Sequence, residues 1–223
     1  MRRTLGGGGR GSQSKEHPGR TAAIYAPVDL PFDPFERFAA LYAQARAAIP
    51  VDPNAMVLAT VGPDGQPSAR VVLLKDFDAR GFVFFTNYES RKGQELLAHP
   101  QVALCVHWAP LERQVRIEGR AEPVGTEEAD AYFQSRPRGS QVGAWASAQS
   151  RPLPSRGELE QRVEELTRQY EGRTIPRPPH WSGFRVVPHL IEFWHARVSR
   201  LHERIVYTRE RPGTPWRTEM LNP

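Results

Sequence analysis

The amino-acid sequence predicts a mainly β protein with interspersed helices, in which antiparallel strands form a barrel. Short apolar runs separated by turn-forming residues occur at least seven times along the chain. Several of these runs are joined by connections of hairpin length, which antiparallel strands can use and parallel strands cannot. These observations favour an antiparallel barrel decorated with helices over a doubly wound sheet.

Composition limits the possible partners. The net charge of the 223 residues is +5, and the first 26 residues carry +4 of it. The remainder is nearly neutral and lacks the basic stripe with which proteins displace counterions from DNA, so no nucleic-acid partner is predicted. No apolar run approaches the ~20 residues of a membrane span, and no secretory signal pattern is visible, so we expect a cytoplasmic protein with no membrane contact.

The single cysteine and the glycine-rich start bear on domain organisation. Cys105 alone forms no intrachain disulfide or cysteine-based zinc site, and its apolar surroundings predict a buried, inert thiol. Residues 1–30 combine basic residues with a glycine run and predict a disordered leader. Residues 31–223 are predicted to form one domain.

The first half of that domain is predicted to contain a helix and three strands. Apolar residues at Phe35, Phe38, Leu41 and Ala45 have helical spacing and predict an amphipathic helix over residues 34–48. Apolar runs predict strands over residues 55–61 and 69–74, joined by the turn at residues 62–65. A third strand is predicted over residues 81–87.

A helix is predicted over residues 90–97, with Ser90 as its N-cap and Pro100 just beyond its end. Arg91 and Lys92 lie in its first turn, where cations oppose the helix dipole. An anion at the helix start would reverse this penalty, so the segment is a candidate phosphate site. The alternative is a pair of exposed basic side chains.

The second half is predicted to contain five strands and two helices. Residues 113–124 alternate between apolar and polar side chains, as expected for a strand with one buried face. The predicted strands cover residues 102–108, 113–124, 183–194, 201–208 and 216–221. Helices are predicted from residue 126 to about 135 and along the amphipathic run of residues 159–170. Residues 136–140 are predicted to form a loop that carries two guanidinium groups and a hydroxyl.

Residues 200–204 concentrate positive charge on one predicted strand. Side chains at every second position of a strand share a face, so Arg200, His202 and Arg204 are predicted to point the same way. Three potential cations on one face favour a bound phosphate or another planar anion, with His202 as a pH-sensitive partner. The alternative is a solvated basic strand.

Other basic residues also form pairs in separate segments. Arg70 and Lys75 are predicted to lie on opposite faces of a strand, and Arg136 with Ser140 lies in the predicted loop. Each pair alone is typical of surface charge, but several pairs beside aromatic residues favour more than one phosphorylated ligand. No phosphate-loop, dinucleotide or hydrolase motif is present, and the histidines lack metal-ligand spacing, so no metal site is predicted.

Eight sequence blocks, in order, resemble the pyridoxamine 5′-phosphate oxidases. They occupy residues 54–61, 70–75, 90–93, 112–115, 135–145, 149–150, 191–194 and 200–204, within a likeness that runs from about residue 34 to the C-terminus. The resemblance implies an FMN-binding split β-barrel of the Greek-key type. It also implies a homodimer in which FMN and the active sites lie at the subunit interface.

The resemblance also implies roles for individual residues. The implied FMN contacts are Arg70, Val71, Val72, Leu73, Leu74, Lys75, Phe85, Thr86, Arg91, Lys92, Gln114, Gln149, Ser150, Trp194 and Arg204. The implied substrate-phosphate ligands are Lys75, Tyr132, Arg136 and Ser140. Arg200 and His202 would lie over the pyridine ring as substrate-binding and catalytic residues. The implied reaction oxidises pyridoxine or pyridoxamine 5′-phosphate with O2 and releases hydrogen peroxide, and also ammonia from the amine.

Three other functions are weighed against this one. A related flavin oxidase acting on another ring, such as a phenazine precursor, is expected to lack the substrate-phosphate residues, which are present here. A flavin- or pyridoxal-phosphate-binding protein without turnover is distinguished by the absence of peroxide production. A nucleic-acid binder would depend on the basic leader alone.

Overall fold

The computed structural model describes residues 33–223, and within these residues it contains five α-helices and nine strands. The helices are α1 (Pro34–Ala48), α2 (Arg91–Ala98), α3 (Thr126–Ser135), α4 (Arg138–Ala146) and α5 (Arg156–Gln169). The strands are β1 (Ala55–Val61), β2 (Pro67–Leu73), β3 (Asp76–Asp78), β4 (Gly81–Asn87), β5 (Gln101–Trp108), β6 (Arg113–Pro123), β7 (Trp181–His195), β8 (Glu203–Thr208) and β9 (Arg217–Leu221). The predicted leader lies outside the described residues.

All strand pairings are antiparallel and join the nine strands into one curled sheet. The main path runs β2-β1-β5-β6-β7-β4-β3, and β8 and β9 extend from β7. The 15-residue strand β7 organises this arrangement, because its first part pairs with β4, its second part with β8, and most of its length with β6. The prediction of a mainly β, antiparallel fold is confirmed.

Helix α1 lies over the principal core. The Asp33 side chain caps the helix by accepting a 2.8 Å hydrogen bond from the backbone N–H of Phe35, and Pro34 follows at the first helical position. Phe38 is fully buried and packs edge-to-face against Phe77 and Phe82, with ring centroids 4.9 Å apart in both pairs. The predicted spacing of apolar residues therefore marks the buried face of this helix.

Helix α2 begins where the sequence predicts. The Ser90 hydroxyl accepts a 3.3 Å hydrogen bond from the backbone N–H of Gly93, as an N-cap residue should. A Cβ atom on Gly93 would lie 2.4 Å from the Tyr88 carbonyl oxygen. Only glycine therefore allows the first turn of α2 to pack this tightly against the end of β4.

Two segments near the predicted site differ from the sequence predictions. The loop predicted over residues 136–140 is wrong, because Arg138 and Ser140 lie in the first turn of α4, which follows α3 after a break of two residues. Gln141 supports this sharp change of direction by donating from its side-chain nitrogen to the carbonyls of Phe133, Gln134 and Arg136. A side chain thus satisfies carbonyls that the end of α3 leaves free.

The second difference concerns residues 198–204. Val198–Arg200 form a 3-10 turn in which Ser199 and Arg200 have positive φ angles of 56° and 60°. Because β8 begins only at Glu203, Arg200, His202 and Arg204 do not share one strand face, and that prediction is wrong. The shared-face rule requires regular extended backbone, which two left-handed residues interrupt.

Other predictions need smaller corrections. Strand β2 ends at Leu73, so the environments of Arg70 and Lys75 differ because Lys75 lies beyond the strand and not because of alternation. The short strand β3 was not predicted. Cys105 is half-buried and not fully buried, and burial raises the pKa of its thiol. In the part of the chain that is described, no helix is long and apolar enough to cross a membrane.

Candidate active site

A cavity of about 660 Å³ opens between the barrel and the helices α3 and α4. Its wall combines one end of β2, the end of β4, the start of β7 and the segment that follows α4. The lining residues are Val71, Val72, Leu73, Lys75, Phe85, Thr86, Asn87, Lys92, Tyr132, Ser135, Arg136, Pro137, Ser140, Gly143, Ala144, Ser147, Gln149 and Trp181.

More than half of the site residues predicted from the sequence line this one cavity. They come from five separate segments, which the fold brings together. The predicted residues in the lining are Val71, Val72, Leu73, Lys75, Phe85, Thr86, Lys92, Tyr132, Arg136, Ser140 and Gln149. Such convergence of distant polar groups on one concave surface is typical of a ligand site.

The start of α2 forms one end of the cavity and is positively charged. The Lys92 ammonium donates hydrogen bonds to the Ser90 hydroxyl at 3.2 Å and to the Gln149 side-chain oxygen at 3.1 Å. The backbone N–H of Arg91 donates to the Ser150 hydroxyl at 3.2 Å. Burial, and to a smaller extent the charge of Arg70, lowers the pKa of Lys92 to about 8. A half-buried cation at a helix N-terminus favours an anionic ligand.

Glu95 lies behind this helix start and is 4% exposed. Its carboxylate accepts hydrogen bonds from the Thr60 hydroxyl at 2.5 Å, the Ser68 hydroxyl at 2.8 Å and the Arg70 guanidinium at 3.0 Å. It also accepts one from Nε of Arg91 at 2.8 Å. Burial alone would raise the pKa of Glu95, but these hydrogen bonds outweigh burial and lower it to about 2.

This network decides where Arg70 lies. Besides Glu95, its guanidinium donates to the Leu58 carbonyl and to the hydroxyls of Thr60 and Ser68. Arg70 is absent from the cavity lining, as is the buried Leu74. The side chain of Arg70 therefore supports α2 from behind instead of facing the cavity.

Aromatic rings form the floor of the cavity. Phe85 stacks on Tyr132 with ring centroids 4.0 Å apart, and Trp181 stacks on the same Phe85 ring at 5.4 Å. The planes of these rings differ by 16° and 7° respectively. Lys75 stands at the edge of this floor, with its ammonium 6.0 Å from the Tyr132 ring centroid. A flat apolar surface with a neighbouring cation suits a flat, negatively charged ligand.

Two polar groups of the lining have no partner among residues 33–223. The Thr86 hydroxyl and one terminal nitrogen of Arg136 are buried without a hydrogen bond. The guanidinium carbon of Arg136 lies over two aromatic rings, 4.5 Å from the Trp181 ring centroid and 5.7 Å from that of Phe133. Burial lowers the pKa of Arg136. Unsatisfied buried donors are costly, so their presence in a cavity is consistent with a site shaped for a ligand.

The second guanidinium of the predicted loop has another role. Arg138 donates to the carbonyls of Tyr170 and Arg173, and so fastens α4 to the end of α5. Of the two arginines, only Arg136 lines the cavity. Sequence proximity alone does not separate them, because their directions depend on where α4 begins.

The remaining predicted residues form a second group at the far end of β7. Strand register places Gln114, Trp194 and Arg204 side by side across β6, β7 and β8. Glu192, which is 4% exposed, lies two residues from Trp194 on the same strand. Its carboxylate accepts from Nε of Arg204 at 2.7 Å and from Arg116 at 2.8 Å. The hydrogen bond from Arg204 to Glu192 raises the pKa of the guanidinium.

His202 joins this second group. Its ring centroid lies 4.6 Å from that of Trp194. Nδ1 of His202 accepts a 3.2 Å hydrogen bond from the backbone N–H of Arg197. In the neutral ring the proton is then on Nε2, which is free to donate. Arg200 is exposed on the left-handed turn just before His202.

The two groups include residues at opposite ends of the strand β7. Trp181 lies at the start of β7 and Trp194 near its end. At ~3.3 Å per residue this separation is about 40 Å along the strand. Trp181 and Trp194 therefore mark opposite ends of β7.

Several functional candidates were missed by the sequence analysis. Trp181 begins the long strand β7, and no local pattern distinguishes it from an ordinary core residue. Glu95 and Glu192 are buried acids that pair with basic residues. The partner Arg91 is four positions from Glu95 in the sequence, a helical spacing that could have indicated the pair. Glu192 pairs with Arg116 and Arg204 on neighbouring strands. Among the described residues, no cluster of three or more His, Cys, Asp or Glu side chains has the arrangement to hold a metal ion.

Two family models together match most of the chain. The first, described as pyridoxamine 5′-phosphate oxidase, matches residues 41–170. The second, described as the pyridoxine 5′-phosphate oxidase C-terminal dimerisation region, matches residues 181–223. The cavity falls almost entirely in the first match, and the group around Trp194 falls largely in the second.

Individual relatives extend this likeness. A protein of Myxococcus xanthus named pyridoxine/pyridoxamine 5′-phosphate oxidase is 65% identical over 212 residues, which cover 95% of this chain and 96% of the relative. A protein of the same name from Rubrobacter xylanophilus is 58% identical over 191 residues, covering 86% of this chain and 87% of the relative.

Solved structures have the same fold. PhzG from Burkholderia lata, solved with tetrahydrophenazine-1-carboxylic acid, matches with a TM-score of 0.83 at 34% identity and covers 90% of this chain and 98% of its own. A pyridoxamine 5′-phosphate oxidase-related, FMN-binding protein of Nostoc punctiforme matches with a TM-score of 0.69 at 18% identity, covering 86% of this chain and 98% of its own, which supports the fold alone. Sequence and structure agree that the chain belongs to the pyridoxamine 5′-phosphate oxidase family.

Proposed function

We propose that this protein is an FMN-dependent oxidase that converts pyridoxine 5′-phosphate and pyridoxamine 5′-phosphate into pyridoxal 5′-phosphate. Two electrons pass from the substrate to O2 and give hydrogen peroxide, and the amine substrate also consumes water and releases ammonia. The observation that carries the proposal is the half-buried Arg136 guanidinium, which faces the cavity without an acceptor among the described residues. The names of the relatives at 58–65% identity support the same reaction.

The cavity residues fit a flavin mononucleotide. The Lys92 ammonium and the start of α2 provide a cationic end for a phosphate. The buried Thr86 hydroxyl lacks a partner and is available to a polar edge of the flavin ring. Val71, Val72 and Leu73 add an apolar edge to the lining beside the end of β4. This combination of one anion site, one free hydroxyl and apolar wall matches the chemistry of FMN.

The cavity has a second cationic region for the substrate phosphate. Lys75, Tyr132, Arg136 and Ser140 line the cavity and would hold that phosphate through charge and hydrogen bonds. A guanidinium and an ammonium in different segments would fix both the position and the orientation of the substrate. The bound flavin would supply the hydride acceptor for C4′ of the substrate and would pass the electrons to O2.

Arg200 and His202 would bind the other face of the pyridine ring. The hydrogen bond from Arg197 to Nδ1 of His202 leaves Nε2–H as a donor toward the ring substituents. The guanidinium of Arg200 would add positive charge beside the same ring. Both residues would orient C4′ for transfer, and orientation is the main contribution that a flavoprotein must supply.

These residues meet at one ligand if two copies of the chain form the active site. The match of residues 181–223 to a dimerisation region supports a homodimer. Arg200 and His202 follow the end of β7 that is opposite to Trp181, and in this proposal they would come from the second subunit. The predicted Gln114, Trp194 and Arg204 contacts to FMN would come with them.

A phenazine-type oxidase is the alternative within the same fold. The likeness to PhzG, at 34% identity, favours this alternative. The identity to the Myxococcus xanthus relative named pyridoxine/pyridoxamine 5′-phosphate oxidase is higher, at 65%. The free guanidinium of Arg136 calls for an anion beyond the flavin phosphate, and a substrate phosphate provides one. We therefore favour the phosphorylated pyridine substrate.

An anaerobic visible spectrum tests the proposal. The FMN-loaded protein should lose its flavin absorption bands when pyridoxamine 5′-phosphate is added, and the bands should return with peroxide when O2 is admitted. Bands that persist after addition of both pyridoxamine and pyridoxine 5′-phosphate would contradict the proposed substrates and leave a non-catalytic binder or another ring oxidase. The cytoplasmic location stays a prediction.

A further inference from the structure

The guanidinium of Arg136 is held in an unusual way. No hydrogen bond or ion pair from its side chain is present within residues 33–223, and one of its terminal nitrogens is buried without an acceptor. The nearest support is the face of Trp181, whose centroid is 4.5 Å from the guanidinium carbon. Phe133 gives a weaker contact at 5.7 Å. The ring of Trp181 thus provides the main contact that fixes this cation.

Trp181 is itself held firmly. It is 7% exposed, and its ring packs edge-to-face on Phe133 at a centroid distance of 5.2 Å. Its backbone N–H donates to the Pro178 carbonyl at 3.0 Å, and its carbonyl accepts from the Arg177 guanidinium at 2.7 Å. The Trp181 ring also stacks with the ring of Phe85. Because these contacts restrict the Trp181 ring, the ring can in turn restrict the position of the Arg136 guanidinium.

We infer that Trp181 is a positioning residue that makes Arg136 a preformed receptor for the phosphate of the substrate, and so sets the preference for phosphorylated over unphosphorylated pyridines. This inference rests on the proposed function. A guanidinium over the face of an indole ring uses none of its N–H donors in that contact, because the attraction is to the ring's π system, so donors in the guanidinium plane remain available to an anion. An arginine without the ring would have to be ordered by the ligand itself, at a cost in affinity.

The experiment compares two inert ligands that differ only in a phosphate. The probes are 4-deoxypyridoxine 5′-phosphate and 4-deoxypyridoxine, which lack an oxidisable group at C4′ and are measured as competitive inhibitors of the FMN-loaded enzyme. In Trp181→Leu, the inhibition constant of the phosphorylated probe should rise about tenfold, as expected from loss of a cation–π contact. That of the unphosphorylated probe should stay within about twofold.

The kinetic constants give a second readout. For pyridoxine 5′-phosphate, KM should rise by about the same tenfold factor while kcat changes little, because the interaction is made equally in the bound substrate and the transition state. Trp181→Phe should recover much of the affinity, since phenylalanine keeps an aromatic face under the guanidinium. Trp181→Leu should have no further effect when added to Arg136→Ala, because Trp181 acts through Arg136.

Trp145→Leu is the matched control. Trp145 packs against the hydrophobic cluster of Phe133, Val142, Ile175 and Trp181 but does not line the cavity. Its indole N–H donates to the Pro176 carbonyl at 2.8 Å. This change should alter neither inhibition constant beyond about twofold. If Trp181→Leu does not fold, Trp181→Phe takes its place in both comparisons: it should weaken the phosphorylated probe more than the unphosphorylated one, and this difference should vanish in the Arg136→Ala background.

The outcomes separate the inference from the function on which it rests. Equal rises for both probes, or no rise for either, in Trp181→Leu would overturn the role of Trp181 and leave the oxidase function intact. A full additive effect in the Arg136→Ala background would also overturn it. A wild-type protein that neither binds the phosphorylated probe nor oxidises pyridoxine 5′-phosphate would instead overturn the proposed function.

Discussion

The protonation state of Lys92 should affect how the proposed cofactor site binds the FMN phosphate. Burial lowers its pKa to about 8, and the neighbouring charge of Arg70 adds to this effect. The ammonium donates to Ser90 and Gln149 and has no carboxylate partner among residues 33–223. A phosphate at this place would favour the charged form of Lys92, so binding and protonation are coupled.

This coupling predicts a pH dependence of FMN binding. Below pH 8 Lys92 is already charged, whereas above pH 8 the apoprotein must take up a proton when the phosphate binds. The dissociation constant for FMN should therefore rise above pH 8, by up to about tenfold per pH unit. Quenching of flavin fluorescence between pH 7 and 10 measures it. Lys92→Arg should flatten the profile, and an equally steep rise in that variant would assign the dependence to another group.

Arg200 and Lys92 are proposed to contact different ligands, so their substitutions should have different effects. Arg200→Met should lower kcat/KM by about 100-fold while FMN stays bound, because Arg200 is proposed to contact the substrate ring. Lys92→Ala should instead weaken FMN binding by about tenfold or more, because it removes a charge at the flavin phosphate. Flavin content after gel filtration and steady-state kinetics separate the two. Equal loss of flavin in both variants would contradict this assignment.

The role of a residue could be predicted from the sequence where its partners are near neighbours along the chain. Ser90 caps α2 as predicted, because an N-cap depends on the three residues that follow. The partners of Arg70 could not all be predicted, since Thr60 and Glu95 come from two other elements, β1 and α2, and only Ser68 lies on the same strand. The orientation of Arg136 depends on Trp181, which is 45 residues away in sequence.

At the scale of elements, three neighbouring strands carry an ordered row of charges. Glu192 on β7 bridges Arg116 on β6 and Arg204 on β8, and Arg116 also pairs with Glu118 at 2.6 Å. A second support for Arg204 is the Asn222 carbonyl beyond β9. Both contacts restrict the guanidinium beside Trp194 in the strand register. The buried acid therefore holds a proposed FMN ligand in place.

This row predicts that Glu192→Gln weakens FMN binding through Arg204. The dissociation constant for FMN should rise about tenfold, while kcat at saturating FMN stays within about twofold of wild type. In an Arg204→Ala background the same substitution should have little effect. Glu118→Gln is the control, because it removes the other partner of Arg116 without contacting Arg204. If Glu192→Gln still raised the dissociation constant for FMN about tenfold in the Arg204→Ala background, Glu192 would not act through Arg204.

Element boundaries explain where the sequence interpretation succeeded and failed. The strands β1 and β4 and the helix α1 have the predicted bounds, because their apolar patterns are regular and their ends carry clear turn or cap residues. The turn at residues 198–200 departed from prediction because Ser199 and Arg200 adopt left-handed backbone without glycine. Such conformations carry little local signal and depend on the surrounding structure.

At the scale of the whole molecule, the sequence predicted the fold class better than the assembly of the site. Alternation and hairpin spacing suffice to identify an antiparallel barrel. The branching of β7 between β4 and β8 depends on long-range pairing, which no local pattern specifies. That branching places Trp181 and Trp194 at opposite ends of one strand. The proposed active site, shared between two chains, would use residues from both ends of this strand.

A shared site predicts complementation between two impaired variants. Arg136→Ala removes a cavity residue, and Arg200→Met removes a residue of the second group, so each homodimer should keep only a small residual activity at a substrate concentration near the wild-type KM. In a hybrid dimer one site receives both changes and the other receives neither. Random mixing makes half of the dimers hybrid, so the mixture should recover about one quarter of wild-type activity. The measurement is peroxide production after the two variants are unfolded and refolded together.

The control for this experiment mixes variants of the same group. Lys75→Ala and Arg136→Ala both lie in the cavity of one protomer, so every site of their hybrid dimer carries one change and should keep only a similar residual activity. If all six proposed substrate residues acted within one chain, the Arg136→Ala and Arg200→Met mixture would behave like this control. Recovery in the first mixture alone therefore requires that Arg136 and Arg200 of one chain belong to two different active sites.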